Sequence, residues 1–238
     1  MISKVMGTRG SRARISLRLG DLKTDILSRI LGDEERTVEN RFVLSNLNFP
    51  KGRILDIGCC DSLLSYRLAK AGYEVHCIDT RPYFETHPNM SFYHADIGNA
   101  PFPAEYFDRI ISVSTVEHIG MGAYGDPIYD RGDETAISQM TRMARRDGKI
   151  LLTVPYARRH TIARWLKGYE RHYDSETLAK LLRKLKILKL ELYSPHRRLA
   201  GFRFDWKRIS QDDVEKECYK PAHTHAVACL VLAKLDDA

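Results

Sequence analysis

The chain has 238 residues, 43% of them hydrophobic, and a formal net charge of +7. That length and apolar content fit one sizeable α/β domain with small extensions and disfavour a second independent domain. No run of about 18 apolar residues occurs, so the sequence offers no membrane span and predicts a soluble protein.

Five cysteines, Cys59, Cys60, Cys77, Cys218 and Cys229, form an odd set without Cys-x-x-Cys spacing. That usage suits free or buried thiols in a reducing compartment, so a cytoplasmic location is expected and neither disulfides nor a metal site is.

In chain order, Met1 to Gly20 carries Lys4, Arg9, Arg12, Arg14 and Arg18 with no acid. A solvated tail is the plainest reading of this segment. A nucleic-acid or lipid contact and a transit-like segment stand as alternatives. "DLKTDILSRILG" and "EERTVENRFVLSNL" then space apolar residues as helices do: Leu22, Ile26 and Ile30, followed by Val38, Phe42, Val43 and Leu47. "NFPKG" punctuates the chain before a short apolar strand, "RILDI".

"SLLSYRLAKAG" predicts a helix with Leu64, Leu68 and Ala71 on one face and Gly72 as its stop. "YEVHCID", "SFYHAD" and "RIISVS" read as three more strands. "DETAISQMTRMARRDG" reads as an amphipathic helix, with Ala136, Ile137, Met140 and Ala144 inward, Asp133 as cap and Gly148 as stop. "KILLTVP" is a fifth strand, "DSETLAKLLRKL" a capped helix, and "ILKLELY" and "AVACLVLAK" are closing strands. Between them, Ser194 to His225 forms either a long excursion or an inserted substrate element. Alternating strands and helices imply an α/β, doubly wound, mostly parallel sheet with helices on both faces. The strands named here number seven.

In such a sheet a ligand sits outside the carboxyl ends of the strands. Asp56, Gly58, Asp79, Asp96 and Ser114 all fall at those ends. An acid roughly 20 residues past the first turn can accept hydrogen bonds from both hydroxyls of a ribose, and Asp79 is that acid. A dinucleotide would need glycines at 58, 60 and 63, where this chain has Gly58, Cys60 and Leu63. Asp56 beside the turn also disfavours a pyrophosphate and favours an ammonium group.

Here the sequence resembles the class I S-adenosylmethionine-dependent methyltransferases, in their type-11-like branch. The likeness rests on "ILDIGCCDS", Asp79, "HADI", "FDRIISVSTVEHIG" and "MTRMARRDGKILLTVPY", and runs from Val38 to about Tyr156. It implies a Rossmann-like fold with S-adenosylmethionine as methyl donor and S-adenosylhomocysteine as product. It sets Asp56 near the methionine ammonium, Asp79 on the ribose, and Asp96 with Ile97 at the adenine. Gly58, Cys59, Cys60, Thr80, Ser114 and Thr115 would complete the cofactor contacts. The family usually has glycine where Cys60 and Ser62 stand, which predicts a narrower loop. Taken singly, each aspartate could equally be a cap or turn residue.

Methyl transfer requires the acceptor atom to be held in line with the methyl carbon, and a hydroxyl acceptor gains from a base. His118 is the candidate base and Glu117 a cofactor or orienting contact; a packing histidine is the alternative. "STVEH" replaces the Asn/Asp-Pro-Pro-Tyr that the family uses to methylate the amino groups of adenine or glutamine, and no Pro-Cys nucleophile follows. The loop "GMGAYGDPIYDRGDE" offers Tyr124, Asp126, Tyr129 and Arg131 to a polar acceptor. "RRHTIARWLKGYERHYD" reads mostly as a surface helix with Ile162, Trp165 and Leu166 facing the core, keeping His172 and Tyr173 as substrate contacts.

The expected organisation is a basic tail at 1–20 and a single methyltransferase domain at 21–238. Within it lie N-terminal helices at 21–50, a cofactor core at 53–156 and a substrate-side part at 157–238. The leading expectation is O-methylation of a small-molecule or glycan hydroxyl by a monomer or weak dimer. An RNA methyltransferase using the basic arm is the second reading, and a non-catalytic binding or regulatory protein of the same fold the third.

Overall fold

A computed structural model describes residues 35–47, 50–60, 62–165, 168–197, 204–216 and 226–235. The expected tail and the helix from Asp21 to Gly32 lie outside the described residues, as do Cys218 and parts of the Ser194 to His225 stretch.

The elements run α1 (Glu35–Asn46), β1 (Arg53–Ile57), α2 (Leu64–Lys70), β2 (Glu74–Asp79), β3 (Met90–His94) and β4 (Phe107–Val113). They continue with α3 (Gly132–Met143), β5 (Ala144–Tyr156), β6 (Thr161–Trp165), β7 (Gly168–His172) and α4 (Ser175–Leu181). β8 (Leu185–Arg197), β9 (Phe204–Ile209), α5 (Gln211–Lys216) and β10 (Ala226–Lys234) close the series. The main sheet has eight strands in the order β3-β2-β1-β4-β5-β10-β8-β9. β1 to β5 pair in parallel, while β10 runs antiparallel to both β5 and β8. The sheet is thus the mostly parallel α/β sheet expected, with β9 added antiparallel on the β8 edge.

Central position explains the apolar strands. β1 is flanked by β2 and β4, so Ile54, Leu55 and Ile57 are buried on alternating faces. On one face Phe42, Val43, Leu64 and Leu68 from α1 and α2 pack on Ile54, Val75 and Ile111. On the other, Ile137, Met140, Leu178 and Leu181 from α3 and α4 pack on Leu55, Ile110 and Leu152.

α2 stops as the sequence predicts. Gly72 takes a left-handed φ of +92°, its N–H bonds the Ala69 carbonyl, and Tyr73 N–H bonds the Leu68 carbonyl. Asp174 caps α4 through a reciprocal pair with Thr177.

Three local expectations are corrected. Asp133 does not cap α3; Arg131, with φ 58°, occupies that position, and Asp133 instead accepts from Tyr173 Oη at 3.0 Å. Gly148 does not stop α3, which ends at Met143. It lies within β5, where the register slips between the pairs Phe107/Ala144 and Arg109/Lys149. The Arg158 to Asp174 stretch is no surface helix: β6 and β7 form a two-stranded antiparallel ribbon from Thr161/His172 to Trp165/Gly168. Ile162 is exposed, whereas Arg171, His172 and Tyr173 are buried. Burying those three beneath the ribbon outweighs the helical spacing, and Gly168 weakens a helix at its middle.

Two buried acids tie the layers together. Glu39 of α1, 1% exposed, accepts from Ser114 Oγ and from Thr153 Oγ1 at 2.6 Å, and lies 3.4 Å from Arg36 Nη1. Asp56 of β1 accepts from Ser65 Oγ at 2.5 Å. Burial raises its carboxyl from 3.8 to about 6, with the Ser65 bond pulling the other way.

Glu39→Ala should cost about 2 kcal/mol of unfolding free energy, since it strands the buried Thr153 hydroxyl and the half-buried Ser114 hydroxyl; urea denaturation measures it. Asp56 has a folded value above its unfolded one. Its contribution is therefore full at low pH and is lost as pH rises from about 4 through about 6. The loss amounts to roughly 3 kcal/mol. Asp56→Asn should lack that fall, so in denaturant melts its stability relative to wild type should rise as pH increases across the window.

Candidate active site

The carboxyl ends of β1, β2, β3 and β4 open on one cavity. It is lined by Gly58, Asp79, Thr80, Asp96, Ile97, Ser114, Thr115, His118, Tyr124 and Asp126, together with Arg36, Arg81, Ile119 and apolar strand residues. Gly58 has φ +78°, and a Cβ there would run into the Thr115 side chain, so glycine lets the first turn close against the end of β4.

Asp79 presents its carboxylate at the tip of β2. Oδ2 accepts Cys60 N–H at 2.9 Å and Oδ1 accepts Arg81 N–H at 2.9 Å, with Arg81 Nε 3.5 Å away. A carboxylate oxygen has two lone-pair sites, so both oxygens keep capacity for a vicinal diol. The Arg81 guanidinium lies 4.3 Å over the Tyr124 ring. Thr80 Oγ1 donates to Asp126 Oδ1 at 2.5 Å, joining β2 to the loop after β4. Asp96 caps the turn Ile97–Asn99 by accepting Gly98 N–H at 2.7 Å and also receives Tyr129 Oη at 3.2 Å. Burial and Asp96 push the Tyr129 phenol up to about 12.

His118 ends a 3-10 turn at Val116–His118. Its Nδ1 lies 3.2 Å from the Tyr169 carbonyl, and its Nε2 lies 3.8 Å from Glu170 and 4.0 Å from Glu117. Burial lowers the imidazole pKa, which favours the neutral ring. Nδ1 then carries the hydrogen toward Tyr169, leaving Nε2 as the acceptor. Glu117 is 1% exposed and burial holds its carboxyl well above the usual range, which favours the protonated form.

Several candidate residues sit elsewhere. Asp56 and Glu117 lie behind the lining. Cys60 opens on a neighbouring surface cleft with Ser62, Leu63 and Tyr83, its Sγ donating to the Arg81 carbonyl at 3.0 Å. The two residues that replace the usual glycines therefore line that cleft and are not among the residues lining the cavity. Cys59 is buried, and its Sγ, the Cys60 Sγ and an Asp79 oxygen lie within 4.8 Å of one another. Contact with Cys77 and burial keep the Cys59 thiol protonated. Arg131 is a surface residue paired with Glu134 at 2.5 Å. Tyr129 is engaged with Asp96, Tyr173 with Asp133, and His172 with Glu170 at 2.7 Å, so in this structure their polar atoms face protein groups.

Arg36, Arg81 and Glu170 escaped the sequence reading. Arg36 donates to the Val113 carbonyl at 2.8 Å and lines the cavity from α1, an element read only for its apolar stripe. Its neighbour Glu39, three positions on, was the available signal for a helix facing a polar site. Glu170 was hidden by the helical reading of its segment.

Residues 55–152 match a family described as a methyltransferase domain. No curated protein matches the sequence. Among solved structures, the 1,6-didemethyltoxoflavin-N1-methyltransferase of Burkholderia thailandensis is similar. It was crystallised with 1,6-didemethyltoxoflavin and S-adenosylhomocysteine; it is 12% identical, with 99% of this chain and 94% of that chain covered and a TM-score of 0.59. A methyltransferase of Methanosarcina mazei is 14% identical, covering 82% and 98% of the two chains with a TM-score of 0.56. These likenesses establish a shared fold, and the family match falls on the strands that build the cavity. Residues 55–152 thus match a methyltransferase domain, and the chain around them has the fold of S-adenosylmethionine-dependent methyltransferases of known structure.

Proposed function

We propose that this methyltransferase acts on a hydroxyl of a small molecule or glycan. The observation that carries the reading is His118: an imidazole on the cavity wall whose neutral form burial favours, with Nδ1 directed to a backbone carbonyl and the ring hydrogen therefore not on Nε2. That arrangement suits removal of a proton from a neutral nucleophile. Glu117, protonated behind it, orients the turn without adding a charge.

Bound S-adenosylmethionine supplies an electrophilic methyl carbon on a sulfonium. His118 Nε2 would take the proton that the acceptor hydroxyl gives up on methylation. The cavity residues fit the donor. Asp79 takes the ribose hydroxyls; Asp96 and Ile97 border the adenine. Gly58, Thr80, Ser114 and Thr115 form the walls, and Cys59 and Cys60 supply backbone at the turn. Asp56 lends negative character to the ammonium end from beneath, and Arg36 is suited to the cofactor's carboxylate. Tyr124 and Asp126 lie on the side left for the acceptor.

We also read residues 21–238 as one domain. β10 and β8 continue the sheet directly from β5, so the substrate-side part shares the sheet that carries the cofactor-side strands. Among the described residues no helix is long and apolar enough to cross a membrane.

Calorimetric titration of S-adenosylhomocysteine should give micromolar binding to wild type and a loss of about 1–2 kcal/mol, or roughly five- to thirtyfold, in Asp79→Ala. On a hydroxyl acceptor found by screening, His118→Ala should lower kcat by about 10²-fold or more. Turnover on RNA whose affinity falls steeply with salt would instead favour the nucleic-acid reading.

A further inference from the structure

Glu170 is used by neither the cofactor nor the acceptor reading, yet it stands beside the proposed base. It lies on β7 opposite Ala163 and is only partly exposed. Its Oε1 meets His172 Nε2 at 2.7 Å, and its Oε2 lies 3.8 Å from His118 Nε2. The His172 side chain is 4% exposed, so this anchor is fixed in the protein interior. The neighbouring residue, Tyr169, offers the carbonyl that receives His118 Nδ1. One turn of β7 thus addresses both nitrogens of the ring.

We propose that Glu170 is a positioning residue for methyl transfer: held by His172, it turns its free carboxylate oxygen to His118 Nε2 and pairs with that nitrogen once it has taken the acceptor's proton. The inference rests on the reading of His118 as base. At 3.8 Å the oxygen is beyond hydrogen-bond reach of the neutral ring, which has no Nε2 hydrogen to give. After proton transfer the ring becomes a cation with a donor on that nitrogen, and the pair closes into a charge-assisted bond. Positive charge lost at sulfur thereby reappears opposite a carboxylate.

The other groups described around His118 do not supply this. Glu117 Oε1, on the same turn, is 4.0 Å away but belongs to a carboxyl that burial keeps protonated. Tyr124 packs edge-on at 5.5 Å between ring centres. Arg36 from α1 opposes the cationic form, and Asp126 from the loop favours it from farther away. Glu170 is the larger favourable charge.

The test is the imidazole titration of His118 in the full chain, followed by NMR of ¹⁵N-histidine-labelled protein and assigned with His118→Gln. Wild type should show the Nδ1–H tautomer when neutral. Glu170→Gln should lower the His118 pKa by about half a unit or more. Glu170→Asp, which keeps the charge, should recover part of that shift, and His172→Gln should move it in the same direction by less. S-adenosylhomocysteine affinity should stay within about twofold in Glu170→Gln, an expectation from its place outside the cavity lining. An unchanged His118 titration in both Glu170→Gln and His172→Gln, or an Nε2–H tautomer in wild type, overturns the proposal. Failure of wild type to bind S-adenosylhomocysteine would instead strike the cofactor assignments and leave the His118 titration as an independent result.

Discussion

The Arg171 guanidinium is the contact on which the acceptor side of the cavity depends. Its Nη1 donates to the carbonyls of Glu117 at 3.2 Å and Ile119 at 2.9 Å, and its Nε lies 3.6 Å from Asp133. One side chain thus joins the β6–β7 ribbon to the turn carrying His118 and to the start of α3. Tyr173, two residues on, reaches the same Asp133 carboxylate. A planar cation with several donors can satisfy two carbonyls and an acid at once, which a lysine could not do with the same geometry. With the ribbon so docked, Tyr169 and Glu170 meet the ring of His118.

The opposite wall is held by α1. Glu39 accepts from hydroxyls at the ends of β4 and β5, and Arg36 covers the Val113 carbonyl. Ser114 has φ 43°, a left-handed backbone uncommon for serine, and its side chain is bonded to Glu39 while its N–H reaches Thr153. The strand end facing the cavity is therefore shaped by a helix far earlier in the chain. The sheet supplies the crevice, and polar side chains from α1 and the ribbon close it from two sides.

The turn after β1 carries Cys60 and Ser62 with their side chains on a separate cleft. Only the Cys60 N–H is needed at Asp79, and backbone donors are indifferent to the side chain they carry. The thiol turns to the Arg81 and Pro82 carbonyls in the neighbouring cleft. Gly58 is the position that cannot change, since there the backbone is left-handed and Thr115 occupies the space a Cβ would need.

The sequence by itself determined the central strands, their parallel direction, the α2 stop at Gly72, the α4 cap at Asp174 and the convergence of Asp79, Asp96 and His118. These follow from local rules: apolar runs of strand length, turn and cap residues, and acids placed at strand ends. Only the tertiary structure decided the rest. The ribbon at Thr161–His172 was illegible because its apolar spacing suits a helix, and long-range burial of Arg171, His172 and Tyr173 outweighed that local preference. Glu170 was illegible because a charge on a predicted surface carries no sign of what lies opposite, and for Arg36 the pairing with Glu39 hinted at a polar site without naming what it faces. Their partners, Val113 and His118, are remote in sequence and are brought near by the sheet and the docked ribbon.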